Sequence, residues 1–120
     1  MGFTFDDQDL ELPREPLARA LRNVVQNALQ LTAPPAAVDL QVLFRDGYLL
    51  FQVDDGGPGV PVHLRERVFE DGFTTREGGS GYGLAMTRRI LTELGGWVRC
   101  EASPLGGARF VLALPLSEPT

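Results

Sequence analysis

The stretch from residue 38 to residue 59 constrains this chain more than any other. Val38, Leu40, Val42 and Phe44 alternate with Asp39, Gln41 and, after Leu43, Arg45. Asp46-Gly47 follows, and a second β-rich run extends from Tyr48 to Val53. An Asp-Gly pair between two such runs predicts a tight antiparallel hairpin, because a type I′ turn takes positive φ at both central residues. The second run meets Asp54-Asp55-Gly56-Gly57-Pro58-Gly59, a group read here as unable to continue a regular strand. An isolated hairpin is marginal in water, so whatever covers its apolar face decides the fold.

The covering elements are helical. Pro13 and Pro16 open a helix that runs to about Leu31, since proline is tolerated in a first turn. Leu17, Ala20, Leu21, Val24, Ala28 and Leu31 fall on one arc of it, with Val25 at the flank. Arg19, Asn23, Asn27 and Gln30 lie within about 80° of each other on the opposite side. Pro34-Pro35 blocks continuation. Pro61 to Val68 reads as a short helix, and Glu70 to Ser80 as a polar, Gly-rich mobile loop holding one aromatic, Phe73. Gly83 to Leu94 is a second amphipathic helix that Gly95-Gly96 ends. Trp97 to Ala102 and Ala108 to Leu114 are strands joined across Pro104 to Gly107. Upstream, Phe3 to Leu12 reads as two short strands around an acidic turn, and the tail from Ser117 frays. Helices interleaved with antiparallel hairpins predict an α+β two-layer sandwich, with one mixed, mostly antiparallel sheet and three helices on one face.

Composition narrows the function classes. The chain has 120 residues and reads as a single domain, 1–120, without repeat, linker or low-complexity segment. It carries 11 basic and 16 acidic residues, a net charge of −5. That balance speaks against nonspecific nucleic-acid binding and against contact with anionic membranes. All the basic residues are Arg, which excludes Lys Schiff-base chemistry and the P-loop lysine. One Cys (Cys100) and one His (His63) exclude an intramolecular disulfide and a Cys/His zinc cluster. The cysteine usage fits a cytoplasmic location, and the acidic N-terminus is unlike a signal peptide.

Three local patterns could carry chemistry. Asn23 and Asn27, at i and i+4, share a helical stripe and could offer neutral oxygens to Mg²⁺. Asp55 followed by Gly57 and Gly59 puts a carboxylate at a strand end where backbone can approach a flat ligand. Gly79-Ser80-Gly81-Tyr82-Gly83-Leu84 leads into a helix, where free N–H groups favour phosphate. Each alone also fits a bland surface: two solvated amides, a Gly-rich turn, a flexible connector. Their joint order is far more specific.

Together they resemble the catalytic ATP-binding domain of bacterial sensor histidine kinases, within the Bergerat-fold superfamily of gyrase-type topoisomerases, mismatch-repair ATPases and heat-shock chaperones. Residues 21–28 (LRNVVQNA) resemble the N box, 53–60 (VDDGGPGV) the G1 box, 68–76 (VFEDGFTTR) the F box and 79–86 (GSGYGLAM) the G2 box. Residues 107–115 resemble the closing strand. The resemblance implies Mg²⁺ on Asn27 and an acceptor for the adenine amine at Asp55. It implies a loop closing through Gly57 and Gly59, and Phe73 packing the lid. Phosphates would meet the amides of Gly79, Gly81 and Gly83, and Arg76 would meet the γ-phosphate. Gln30, Thr75, Ser80, Tyr82 and Leu84 complete the nucleotide-contacting set. Asn23 stands where hydrolysing relatives carry a Glu base, which favours phosphoryl transfer to a protein. Three positions depart from the pattern: Gln30 and Leu31 replace a basic residue and an aromatic, and Ala108 replaces Thr or Ser. No segment resembles the acceptor hairpin, and His63 reads as a surface residue. The implied partner is therefore a dimerisation and phosphoacceptor domain, in cis or in trans, and through it a response regulator; the domain alone is expected to be a monomer. A serine kinase and anti-sigma binding module of the same fold, or a catalytically weak nucleotide-binding module, are the alternatives.

Overall fold

A computed structural model describes residues 13–73 and 82–116. The elements run α1 (Arg14–Leu31), β1 (Val38–Arg45), β2 (Tyr48–Asp55), α2 (Gly83–Glu93), β3 (Trp97–Ala102) and β4 (Ala108–Pro115). Single turns of 3-10 helix at Val62–Leu64 and Arg67–Phe69 lie between β2 and α2. The strands expected within Phe3–Leu12, the loop residues 74–80 and the tail from Ser117 fall outside the described residues.

The expected hairpin is present. β1 and β2 pair antiparallel from Arg45↔Tyr48 to Val38↔Asp55. Asp46 and Gly47 take φ of 53° and 81°, the two positive values that a type I′ turn demands. The sheet order is β1-β2-β4-β3, and each described pairing is antiparallel. Both helices lie on one face, α1 over β1 and β2, α2 over β3 and β4. The result is the α+β sandwich.

Strand alternation sorts the side chains. Leu49, Phe51 and Val53 of β2 and Phe110, Leu112 and Leu114 of β4 point under the helices. There they meet Leu17, Ala20, Val24 and Ala28 of α1 and Ile90 and Leu91 of α2. Each fully buried Val, Leu or Phe contributes roughly 1.5–3 kcal/mol, and this shared layer fixes α1 and α2 over the sheet. Phe69 joins it edge-to-face on Phe110, with centroids 6.0 Å apart. The outer face holds a smaller apolar group, Leu50, Val111 and Ala113 with Tyr48 and Trp97 against them.

Two expectations need correction. Pro61 to Val68 is not one helix but two 3-10 turns, with Leu64 N–H bonded to the Pro61 carbonyl and Phe69 N–H to that of Glu66. The apolar residues that seat it, Val68 and Phe69, are adjacent rather than spaced by helical turns, so they anchor one tight turn. β2, moreover, does not stop at Val53. Asp54 and Asp55 remain in the strand because β4 and the loop before it supply their partners, as described next.

Candidate functional site

A cavity of about 310 Å³ opens between α1, the end of β2, the 3-10 turns and the start of α2. From α1 come Asn23, Gln26, Asn27, Gln30 and Leu31. Their spacing of three and four residues makes them one stripe of the helix, the stripe left free when Leu17, Ala20, Val24 and Ala28 turn into the core. From the end of β2 and the following loop come Asp55, Pro58, Gly59, Val60 and Pro61. Leu64, Val68 and Phe73 close one side, Gly83 and Leu84 open α2 at the other, and Ala108 and Phe110 of β4 form the floor.

Asp55 is 2% exposed, and a carboxylate so buried needs hydrogen-bonded partners. Its Oδ1 accepts the N–H of Gly57 at 3.0 Å and that of Ala108 at 3.1 Å. Its own carbonyl accepts the Gly107 N–H at 3.1 Å. Among the described residues no donor reaches Oδ2, so this oxygen keeps its full acceptor capacity beside the cavity. The close approach needs glycine. A Cβ on Gly107 would collide with the Oδ1 and carbonyl oxygen of Asp55 and stand 2.7 Å from the Gly57 nitrogen. A Cβ on Gly57 would stand 2.9 Å from the Leu31 carbonyl. Arg65 steadies the next part of the loop by donating from Nε to the Val60 carbonyl at 3.0 Å.

On the opposite face of the sheet, Asp54 pairs with Arg109, Nε to Oδ1, at 2.8 Å. The two side chains are 5% and 24% exposed, and the residues are direct cross-strand neighbours. The hydrogen bond that Arg109 donates to Asp54 raises the Arg109 pKa above its ordinary value, against the pull of desolvation. This ion pair sits one residue from the Asp55–Ala108 bond and clamps β2 to β4 there. The Cys100 thiol lies buried in the helix-side layer, and burial pushes its pKa up to about 11.

The cavity gathers Asn23, Asn27, Gln30, Asp55, Gly59, Phe73, Gly83 and Leu84 from the residues marked in the sequence. Gly57 acts from behind, through Asp55. Tyr82, just before α2, is exposed and is not among the residues that line the cavity. His63 is exposed, as expected. Thr75, Arg76, Gly79, Ser80 and Gly81 lie outside the described residues. Sequence reasoning missed Gln26, although it sits three residues from Asn23 on the same stripe. It also missed Gly107, whose role depends on contact with a residue far earlier in the chain.

Among the described residues, no helix is long and apolar enough to cross a membrane. Residues 13–118 match the family described as histidine kinase-, DNA gyrase B-, and HSP90-like ATPase. The sensor histidine kinase CpxA of Escherichia coli K12 is 42% identical over 106 residues, which are 83% of this chain and 23% of that protein. The sensor protein CitS of Halalkalibacterium halodurans is 38% identical over 113 residues, 90% of this chain and 21% of CitS. The chain thus spans about a fifth of the length of these curated relatives. Among solved structures, the catalytic domain of the histidine kinase ThkA superposes with a TM-score of 0.80 at 30% identity, covering 88% of this chain and 70% of that one. The mycobacterial sensor histidine kinase MprB gives 0.77 at 31%, covering 87% and 72%. With its sandwich, its amide-lined helix and its buried strand-end carboxylate, the chain belongs to the histidine kinase-, gyrase B- and HSP90-like ATPase family.

Proposed function

We propose that the cavity binds Mg-ATP and that the domain passes the γ-phosphoryl group to a histidine on a dimerisation and phosphoacceptor hairpin, as the catalytic half of a two-component sensor kinase. The observation that carries the reading is the divided carboxylate of Asp55. Two backbone amides hold Oδ1, which leaves Oδ2 to accept a hydrogen bond from a ligand. The exocyclic amine of adenine is such a donor, whereas the keto oxygen of guanine would set acceptor against acceptor. Phe110, Val68 and Leu64 offer apolar surface to a flat base beside it.

At the other end, Asn23 and Asn27 present neutral amides and α2 presents its N-terminus at Gly83. This donor set fits Mg²⁺ completed by phosphate oxygens and water. Asn27 would hold the ion, which when bound neutralises charge on the phosphates. The N-terminal N–H groups of α2 favour the anion, and Arg76 of the lid is assigned to the γ-phosphate. Phosphoryl transfer is mainly positioning and charge neutralisation, tasks within reach of this set. Asn23 cannot take a proton from water at neutral pH, so these residues favour transfer to a protein over hydrolysis. The accepting hairpin lies elsewhere, in cis or in trans, and hands the group on to a response regulator on the cytoplasmic side.

Calorimetric titration with Mg-ATP and Mg-GTP tests the base site. Wild type should bind ATP in preference. Asp55→Asn keeps an Oδ1 for the two amides but can turn an NH₂ toward the adenine amine, and should weaken ATP at least tenfold, roughly the value of one charge-assisted hydrogen bond. Incubation with labelled ATP and a sensor-kinase hairpin should then yield acid-labile phosphohistidine. Acid-stable label on a partner would point instead to the serine kinase of the same fold, and binding without transfer to any hairpin would leave a nucleotide-binding module.

A further inference from the structure

The two ends of the cavity are built differently. Asp55 and its amides tie the base end together directly. The phosphate end depends on the spacing of two helices, α1 with Asn23 and Asn27, and α2 with its N-terminus at Gly83. The two helices meet there at contact distance: a Cβ on Gly83 would come 3.9 Å from Asn23 Cβ, ordinary van der Waals contact. One turn into α2 from Gly83, opposite the α1 turn that precedes Asn23, stands Thr87, fully buried between the helices. Its Oγ1 lies 3.0 Å from the Gly83 carbonyl oxygen of its own helix and 3.3 Å from the Ala20 carbonyl oxygen of α1. The hydroxyl proton is shared between two acceptors, and a buried hydroxyl is worth its desolvation only when so bonded. Its neighbours in the helix interface, Ala20, Val24, Ile90 and Leu91, are apolar, so packing alone would be served by a Val at this place.

We propose that Thr87 is a positioning residue for the phosphate end of the site. Its hydroxyl ties the first turn of α2 to α1 one turn before Asn23, and so sets the distance between the α2 N-terminus and the Asn23–Asn27 stripe. It touches no ligand. The proposal rests on the Mg-ATP reading and assigns to Thr87 the phosphate part of the affinity only.

The test compares Mg-ATP with adenosine on the 120-residue chain: calorimetry for the first, NMR titration for the second, and a thermal melt for each variant. Thr87→Val keeps the shape and removes the hydroxyl. It should weaken Mg-ATP about fivefold, the worth of roughly one net hydrogen bond, and leave adenosine within about twofold. Thr87→Ser should restore Mg-ATP affinity. If the Val variant does not fold, Ser and Ala, which differ only in the hydroxyl, carry the same comparison. Unchanged Mg-ATP affinity without the hydroxyl overturns the proposal, as does a parallel loss of adenosine or failure of Ser to rescue. In all three cases the Mg-ATP reading stands. Wild-type chain that binds neither ligand overturns that reading and this one with it.

Discussion

Gly107→Ala is the change that bears most directly on the braced carboxylate of Asp55. The added Cβ would run into two oxygens of Asp55 and stand 2.7 Å from the Gly57 nitrogen. Atoms at that range must separate by about 1 Å to reach ordinary contact. The neighbours on offer are backbone and a buried carboxylate, none of them the free end of a flexible side chain. Moving the β3–β4 loop by that distance stretches the Gly107 N–H bond to the Asp55 carbonyl and the Ala108 N–H bond to Oδ1, both 3.1 Å in the native fold, past useful length. A neutral bond is worth about 1 kcal/mol and one to a carboxylate about 1.5–3, so the loss is about 3 kcal/mol. For a domain of this length each kcal/mol moves Tm by about 4 °C, which gives a drop of about 12 °C. Nucleotide binding should suffer further, because Oδ2 turns with the loosened carboxylate. A thermal melt with and without Mg-ATP measures both effects. If Gly107→Ala melts within about 2 °C of wild type and keeps its ATP-dependent shift, the claim that Gly107 exists to let β4 approach Asp55 is wrong.

Three further outcomes are expected. Arg109→Met leaves the Asp54 carboxylate buried without its partner and should lower stability by about 2–3 kcal/mol in urea unfolding, a little under the roughly 3–5 kcal/mol of a fully buried pair because Arg109 is partly exposed; adding Asp54→Asn should recover more than half of it, and simple additivity in that double-mutant cycle would count against a coupled pair. Between about pH 9 and pH 11 the chain should lose up to about 3 kcal/mol through Cys100, because its folded pKa of about 11 exceeds the unfolded value and only the unfolded chain releases the proton in that window; below that window the thiol is protonated in both states and contributes no slope, and Cys100→Ala should flatten the alkaline fall measured by urea unfolding. Asn27→Ala should reduce the Mg²⁺-dependent part of ATP affinity by at least tenfold in calorimetry while shifting Tm by only about 2 °C, since this polar side chain lines the cavity rather than the core.

How much of this was legible in the residues depends on the range of the forces involved. The β1–β2 hairpin, α1, α2 and the two later strands were readable because each rests on a local rule: positive φ at Asp46-Gly47, proline at the start of α1, apolar spacing, glycine after α2. The stripe of Asn23, Asn27 and Gln30 was readable for the same reason, and Gln26 should have been added to it. The end of β2 was misread because Asp54 and Asp55 look like turn residues until their partners are known. Those partners, Gly107, Ala108 and Arg109, lie more than fifty residues later in the chain, and nothing near Asp55 announces them. The 3-10 turns were misread as a helix because helix and turn share the same short apolar signal.

The same distinction bears on how the cavity works. At its base end every contact that holds Asp55 comes from backbone amides and a buried ion pair on the reverse face of the sheet. A carboxylate braced in this way loses little freedom when a ligand donates to it, so the entropy of ordering the acceptor is met on folding rather than on binding. At the phosphate end the donors ride on two separate helices whose common anchor is apolar packing and the Thr87 hydroxyl. A nucleotide would therefore meet a base-end acceptor braced by backbone amides and the sheet, and a phosphate end whose geometry is set by helix packing and one buried hydroxyl.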